Sequence, residues 1–150
     1  MAKRYKTLPS GLQYRRDENG SVIIQGQKTL KRYHELCNER DSMDCYKHHC
    51  FFAFSNSQFE EGKKKARIKV GEKIYSVGAG MYGTNEGIKS FFAEMRSFNK
   101  LIKEECDPQE VYFYEYNNHE CMLSWDADEE PIKLIARIWG DEAVSQIVRI

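Results

Sequence analysis

Six residues within seventeen positions carry the donor atoms that zinc takes: His34, Cys37, Cys45, His48, His49 and Cys50. Zinc binds four nitrogen or sulfur ligands, and a two-residue gap brings two of them to one ion. The spacings H-x2-C and C-x2-H-H-C match no familiar zinc finger. His34 and Cys37 also fall on the apolar stripe of a helical pattern, where small thiols are ordinary core residues. Cys50 opens an apolar run and points inward if that run is a buried strand. No metal and no cofactor are therefore assigned, and a small zinc-containing nucleic-acid-binding regulator stands as the alternative reading of the chain.

Gly78-Ala79-Gly80-Met81-Tyr82-Gly83 matches the G-x-G-x-x-G pattern that cradles a dinucleotide pyrophosphate. That loop needs an acid roughly 20 residues on, at the end of the next strand. Here that point falls inside a long helical pattern, so a glycine turn packing a helix against a strand is the better reading. His119 and Cys121 would share a strand face, which suits thiol catalysis, but nothing flanks them to hold an oxyanion. Asp126-x-Asp128-Glu129-Glu130 begins like a calcium loop, yet Pro131 and Arg137 stand where its glycine and terminal glutamate belong. Those acids read instead as a helix cap near the positive end of the dipole. No set completes a catalytic constellation, so the chain is expected not to be an enzyme.

What remains is a surface. Val111-Tyr112-Phe113-Tyr114-Glu115-Tyr116 alternates, placing Tyr112, Tyr114 and Tyr116 on one strand face. With the tip Asn117, Asn118, His119 and Glu120 and the acids Asp126, Asp128 and Glu129, they would give apolar anchors inside a charged rim. These ten residues are the expected partner-binding surface, an acidic rim being suited to a basic groove on a nuclease. The competing reading is that the tyrosines cover the helix-packed side of the sheet.

The elements that would position these residues alternate between hairpins and helices. Strands Gly11–Arg16 and Ser21–Gln25 flank Asn19-Gly20, a pair suited to the positive φ of a tight turn. Leu30, Tyr33, His34 and Cys37 mark a helix over Lys28–Arg40. Cys50–Phe54 reads as a buried strand, and Ser57 with Glu60 as the capping box of a helix ending near Lys65. A second hairpin, Arg67–Val70 with Lys73–Val77, turns at Gly71-Glu72. Ile88, Phe91, Phe92, Met95 and Ile102 stripe the longest helix, Asn85–Glu105, which Asp107-Pro108 ends. Val111–Tyr116 and Cys121–Trp125 read as a third hairpin. A helix with Ile132, Ile135, Ala136 and Trp139 on one face ends at Gly140, before a last short helix. Together these predict an α+β fold, a single domain over 1–150, whose mostly antiparallel sheet is built from hairpins with helices on one face.

Net charge is zero, but residues 1–75 carry +7 and residues 76–150 carry −7. The chain therefore has no overall pull on nucleic acid, although separate basic and acidic surfaces are open to it. No apolar run is long enough to span a membrane, and no apolar stretch follows the basic N-terminus as in an export signal. Five cysteines, an odd number, are expected to be free thiols in a reducing cytoplasm.

Three stretches together carry a resemblance: Phe51–Gly62 (FFAFSNSQFEEG), Gly80–Ile88 (GMYGTNEGI) and Tyr114–Cys121 (YEYNNHEC). They resemble an uncharacterised family of small proteins carried by phages and conjugative elements of gut-type bacteria. The resemblance spans about two thirds of the chain and brings no catalytic residue with it. It implies an accessory role: a non-enzymatic binding protein of a mobile genetic element, such as an inhibitor of a host defence nuclease of CRISPR type. The expected partner is then a protein or nucleoprotein, with no membrane and no small-molecule substrate.

Overall fold

Asp17 folds the first turn onto itself, its Oδ1 accepting the amides of Asn19 at 2.9 Å and Ser21 at 3.0 Å while Gly20 takes φ 83°. The turn joins β2 (Gln13–Arg16) to β3 (Val22–Gln25), with Tyr14 opposite Ile24 and Arg16 opposite Val22. β1 (Lys6–Thr7) adds antiparallel to β2 with Lys6 opposite Tyr14. The computed structural model describes residues 4–119, 121 and 128–150, and the chain groups into two compact units: residues 1–37 with 99–150, and residues 38–98. The fold class is α+β, with two small antiparallel sheets, β1-β2-β3 in the first unit and β4-β6-β5 in the second.

In the first unit, α1 (Leu30–Asp41) starts where the buried Glu110 side chain meets it. Glu110 Oε1 accepts from Lys28 N at 3.1 Å, Thr29 N at 2.8 Å and Thr29 Oγ1 at 3.0 Å, so a distant carboxylate stands in for a local cap. α3 (Asn85–Glu105) runs as its stripe predicts, and the division between the units falls within α1 and α3. α5 (Glu129–Trp139) buries Pro131, Ile135 and Ile138 and stops at Gly140, before α6 (Asp141–Ser145).

In the first unit one element differs in kind from its prediction. Val111–Tyr116 is not a strand but lies inside α4 (Pro108–Asn118). Asp107 caps it by accepting from Gln109 N at 2.8 Å, and Pro108 occupies the first turn, where no amide bond is lost. Val111, Tyr112, Phe113 and Tyr116 are all buried, as are Glu110 and Glu115. A helix surrounded on every side has no wet face, so its sequence loses the 3.6-residue period and its aromatic run mimics a strand. α4 packs on one face of the first sheet: Asn117 bonds Val22 N and O at 2.8 and 2.7 Å, and Tyr14 stacks on Phe113 at 4.9 Å. Of the expected partner strand Cys121–Trp125, only Cys121 is among the described residues.

The second unit is built on β4 (Cys50–Phe52), β6 (Met81–Gly83) and β5 (Tyr75–Gly78). Cys50 and Met81 face Phe91 of α3, with Phe92 and Met95 packed around them. On the opposite face, Phe51 and Tyr82 pack on Phe59 of α2 (Asn56–Lys65). Gly62 makes that possible, since a Cβ there would lie 2.3 Å from the Phe51 ring. The cap of α2 is Ser55 rather than Ser57, accepting from Gln58 N at 3.2 Å. The second hairpin is also displaced. Arg67–Val70 forms no strand, and the turn sits at Gly78-Ala79-Gly80, whose φ values of 87°, 52° and 79° reverse the chain between β5 and β6.

Candidate functional site

The tyrosines expected to meet a partner are held inside the first unit. Tyr112 is 0% and Tyr116 1% exposed, because a helix turns its neighbours through 100° where a strand would have aligned them. The Tyr112 hydroxyl donates to Asp128 Oδ2 at 2.9 Å and accepts from Ile150 N at 3.0 Å. Tyr114 sets its ring edge-on to His34 at 4.5 Å. Asn117 is committed to Val22, while Asn118 Nδ2 donates to Glu115 Oε2 at 3.2 Å and His119 Nε2 lies 3.1 Å from the same oxygen. Asp128 takes two bonds from Arg149 at 2.6 Å, which hold its carboxyl below the usual range, and Glu129 pairs with Lys133 at 2.7 Å. Glu120 and Asp126 lie outside the described residues. Asp128 and Glu129 of the expected acidic rim are thus paired within the chain, and of the expected anchors Tyr112 and Tyr116 are core while Tyr114 is half-buried.

The other constellations fare as follows. Among the described residues no group of three His, Cys, Asp or Glu is disposed to hold a metal ion. Cys50 sits in the core, where burial pushes its thiol up to about 11. His49 Nδ1 donates to Ala66 O at 2.8 Å. Burial also raises the Cys121 thiol, which disfavours the thiolate that nucleophilic chemistry needs. The glycine motif lies in a hairpin turn, not between a parallel strand and a helix.

Sequence reading missed one arrangement: His48 bridges Ser90 Oγ, 2.7 Å from its Nδ1, and the Glu94 carboxylate. The Glu94 carboxyl is lowered chiefly by its hydrogen bond with His48. Ser90 sits within α3, where the helix ladder takes up the backbone amides and leaves none to hold an oxyanion. The trio tethers the turn Tyr46–His48 to α3.

The chain does assemble a concentration of charge. Arg4, Lys6, Tyr14, Arg15, Arg16, Arg149 and Ile150 line a concavity of about 340 Å³ in the first unit. Strand register places Lys6 beside Tyr14, whose ring is fixed on Phe113. Arg16 Nη2 donates to the Tyr116 hydroxyl at 3.2 Å, and Arg15 stands 5.3 Å over the Tyr5 ring. Arg149 is oriented by Asp128, whereas no acid among the described residues pairs with Arg4, Lys6, Arg15 or Arg16. Five cations therefore face one space whose lining contains no acidic side chain. The basic bias of the first half was a visible signal, but Arg149 comes from the far end of the acidic half.

A fold of two small antiparallel sheets with helices defines the class as an α+β protein, with a basic concavity in the first unit. The chain belongs to the family described as Family of unknown function (DUF7659), whose model matches residues 32–138. No curated protein and no solved structure matches it. The lining residues of the basic concavity all lie outside the matched stretch. No helix among the described residues is long and apolar enough to cross a membrane.

Proposed function

We propose that the protein is a non-enzymatic binding protein of a mobile genetic element, and that it holds a nucleoprotein partner by the phosphate backbone of its nucleic acid. The partner class is a host defence nuclease of CRISPR type, bound with its nucleic acid. The observation that carries the reading is the basic concavity, five cations around one space without an acid in its lining. Phosphate contacts of this kind release condensed counterions, which gives affinity without sequence preference. Because net charge is zero, attraction must come from such a local patch rather than from the whole molecule.

Fluorescence anisotropy with labelled RNA and DNA, from about 50 to 200 mM salt, tests the reading. Log affinity should fall linearly with log salt, by about 0.7 to 0.9 for each phosphate neutralised. Replacing Arg4, Lys6 and Arg15 with alanine should flatten that slope by about 2 to 3. No binding at the lowest salt, or an unchanged slope in the triple variant, removes the concavity as the contact. Capture from a host carrying several defence systems should recover a nuclease that is released when its nucleic acid is digested.

A further inference from the structure

The second unit carries a groove unlike the first unit's concavity, because its walls combine exposed aromatic rings with cations. Asp44, Tyr46, Lys47, His49, Lys65 and Arg67 line a space of about 510 Å³. A smaller space beside it, about 110 Å³, shares Tyr46 and Lys65 and adds Phe52. Tyr46 and Phe52 are 37% and 48% exposed, although Phe51 beside Phe52 is fully buried. Lys65 is steadied by Glu61 at 2.9 Å and Lys47 by Glu94 at 3.3 Å, while Arg67 pairs with no acid among the described residues.

The backbone marks the same place. His49 and Arg67 hold φ of 55° and 57°, and among the described residues only Ala79 shares that conformation without being glycine. A side chain in the left-handed region is strained, a cost glycine would avoid. Two such positions line one groove, and at one of them Arg67 presents a guanidinium that can donate to a phosphate. Strained backbone of this kind collects at sites where the side chain is needed. His49 Nδ1 is occupied by the Ala66 carbonyl, so its Nε2 is the nitrogen left for a ligand.

We infer that this groove seats single-stranded nucleic acid, with bases on Tyr46 and Phe52 and a phosphate on Arg67 and Lys65. The inference rests on the proposed binding of nucleic acid and adds the strandedness. Exposed rings stack only on bases that have left a duplex, and such stacking is indifferent to sequence. Asp44 and Glu61 offset two of the three lysine and arginine charges in the lining, so stacking rather than charge supplies the gain. The preference for single strands should therefore change little with salt, unlike binding at the basic concavity.

The test uses the full chain, a labelled oligothymidine and a labelled duplex of equal length. Tyr46→Ala and Phe52→Ala should each weaken oligothymidine binding about five-fold or more, which is 1 kcal/mol of stacking or above, and leave the duplex unchanged. Tyr46→Phe should bind normally. Arg67→Gly relieves the backbone, so its Tm should rise or hold while oligothymidine binding falls. Normal single-strand binding in the two alanine variants, or in Arg67→Gly, overturns the inference. Loss of both ligands in the Arg4, Lys6 and Arg15 variant alone, with the groove variants unaffected, supports the concavity and defeats the groove. If oligothymidine binds no better than duplex to the unmodified chain, the groove reading falls and the concavity reading stands.

Discussion

Asp128 shows how one side chain can change its part between sequence and structure. It caps no amide with its carboxylate; instead it accepts from Arg149 and from the buried Tyr112. Those bonds, Arg149 first, hold its carboxyl below the usual value. A depressed carboxylate contributes stability that is present above its unfolded value, about 3.9, and is lost as pH falls through the folded one. Arg149 is half exposed, which screens the pair, so Asp128→Asn should cost about 1 kcal/mol at neutral pH. Urea midpoints at pH 7, 5 and 3 should show the gap between the two proteins closing below about pH 4. A gap that stays constant across that range would mean the carboxylate's charge contributes nothing.

Among the elements, α2 and β4 make the sharpest fit. Glycine inside a helix is normally a weakness, and replacing it with alanine gains up to about 1 kcal/mol. At Gly62 the sign should reverse, because the new Cβ meets the Phe51 ring, which is itself wedged between Phe59 and Tyr82. Overpacking of this kind costs about 1 to 3 kcal/mol, so Gly62→Ala should lower the denaturation midpoint. A rise in the midpoint would show that the ring can move aside. The same crowding explains why α2 and β4, short as they are, hold their register.

For the whole molecule, the opposed charges of the two sequence halves do not become two opposed bodies. The unit made of residues 1–37 and 99–150 carries −2 and the unit 38–98 carries +2, because the basic start and acidic end of the chain fold into one unit. What survives is local, the concavity around Arg4 and Arg149. The cysteines behave as a set too. All five lie outside any disulfide, and burial raises the thiols of Cys50 and Cys106 to about 11, with Cys121 also raised. Only the thiolate reacts, so a thiol reagent at pH 7 should leave Cys50, Cys106 and Cys121 unmodified until denaturant is added. Rapid reaction of all five in the native protein would contradict this core.

Much of the chain could be read from its letters because the relevant physics is local. Asn19-Gly20 announced a turn, the stripe from Ile88 to Ile102 announced α3, and Pro131 and Gly140 bracketed α5. Each signal lies within the element it specifies, and each element has a wet face to give its pattern contrast. α4 has little of one, so its buried aromatic run read as a strand, and two of the three tyrosines expected on a partner surface went into the core. The second hairpin slipped because three consecutive left-handed residues turned the chain later than Gly71-Glu72 would have. The basic concavity was beyond any local pattern: Arg4, Lys6, Arg15 and Arg16 meet Arg149 across more than 130 residues, which only strand register and α4 packing bring together. Sequence alone thus determined the elements whose signals are local, the first turn, α3 and α5. Tertiary structure decided which side chains face water, because burial depends on neighbours that lie far away along the chain.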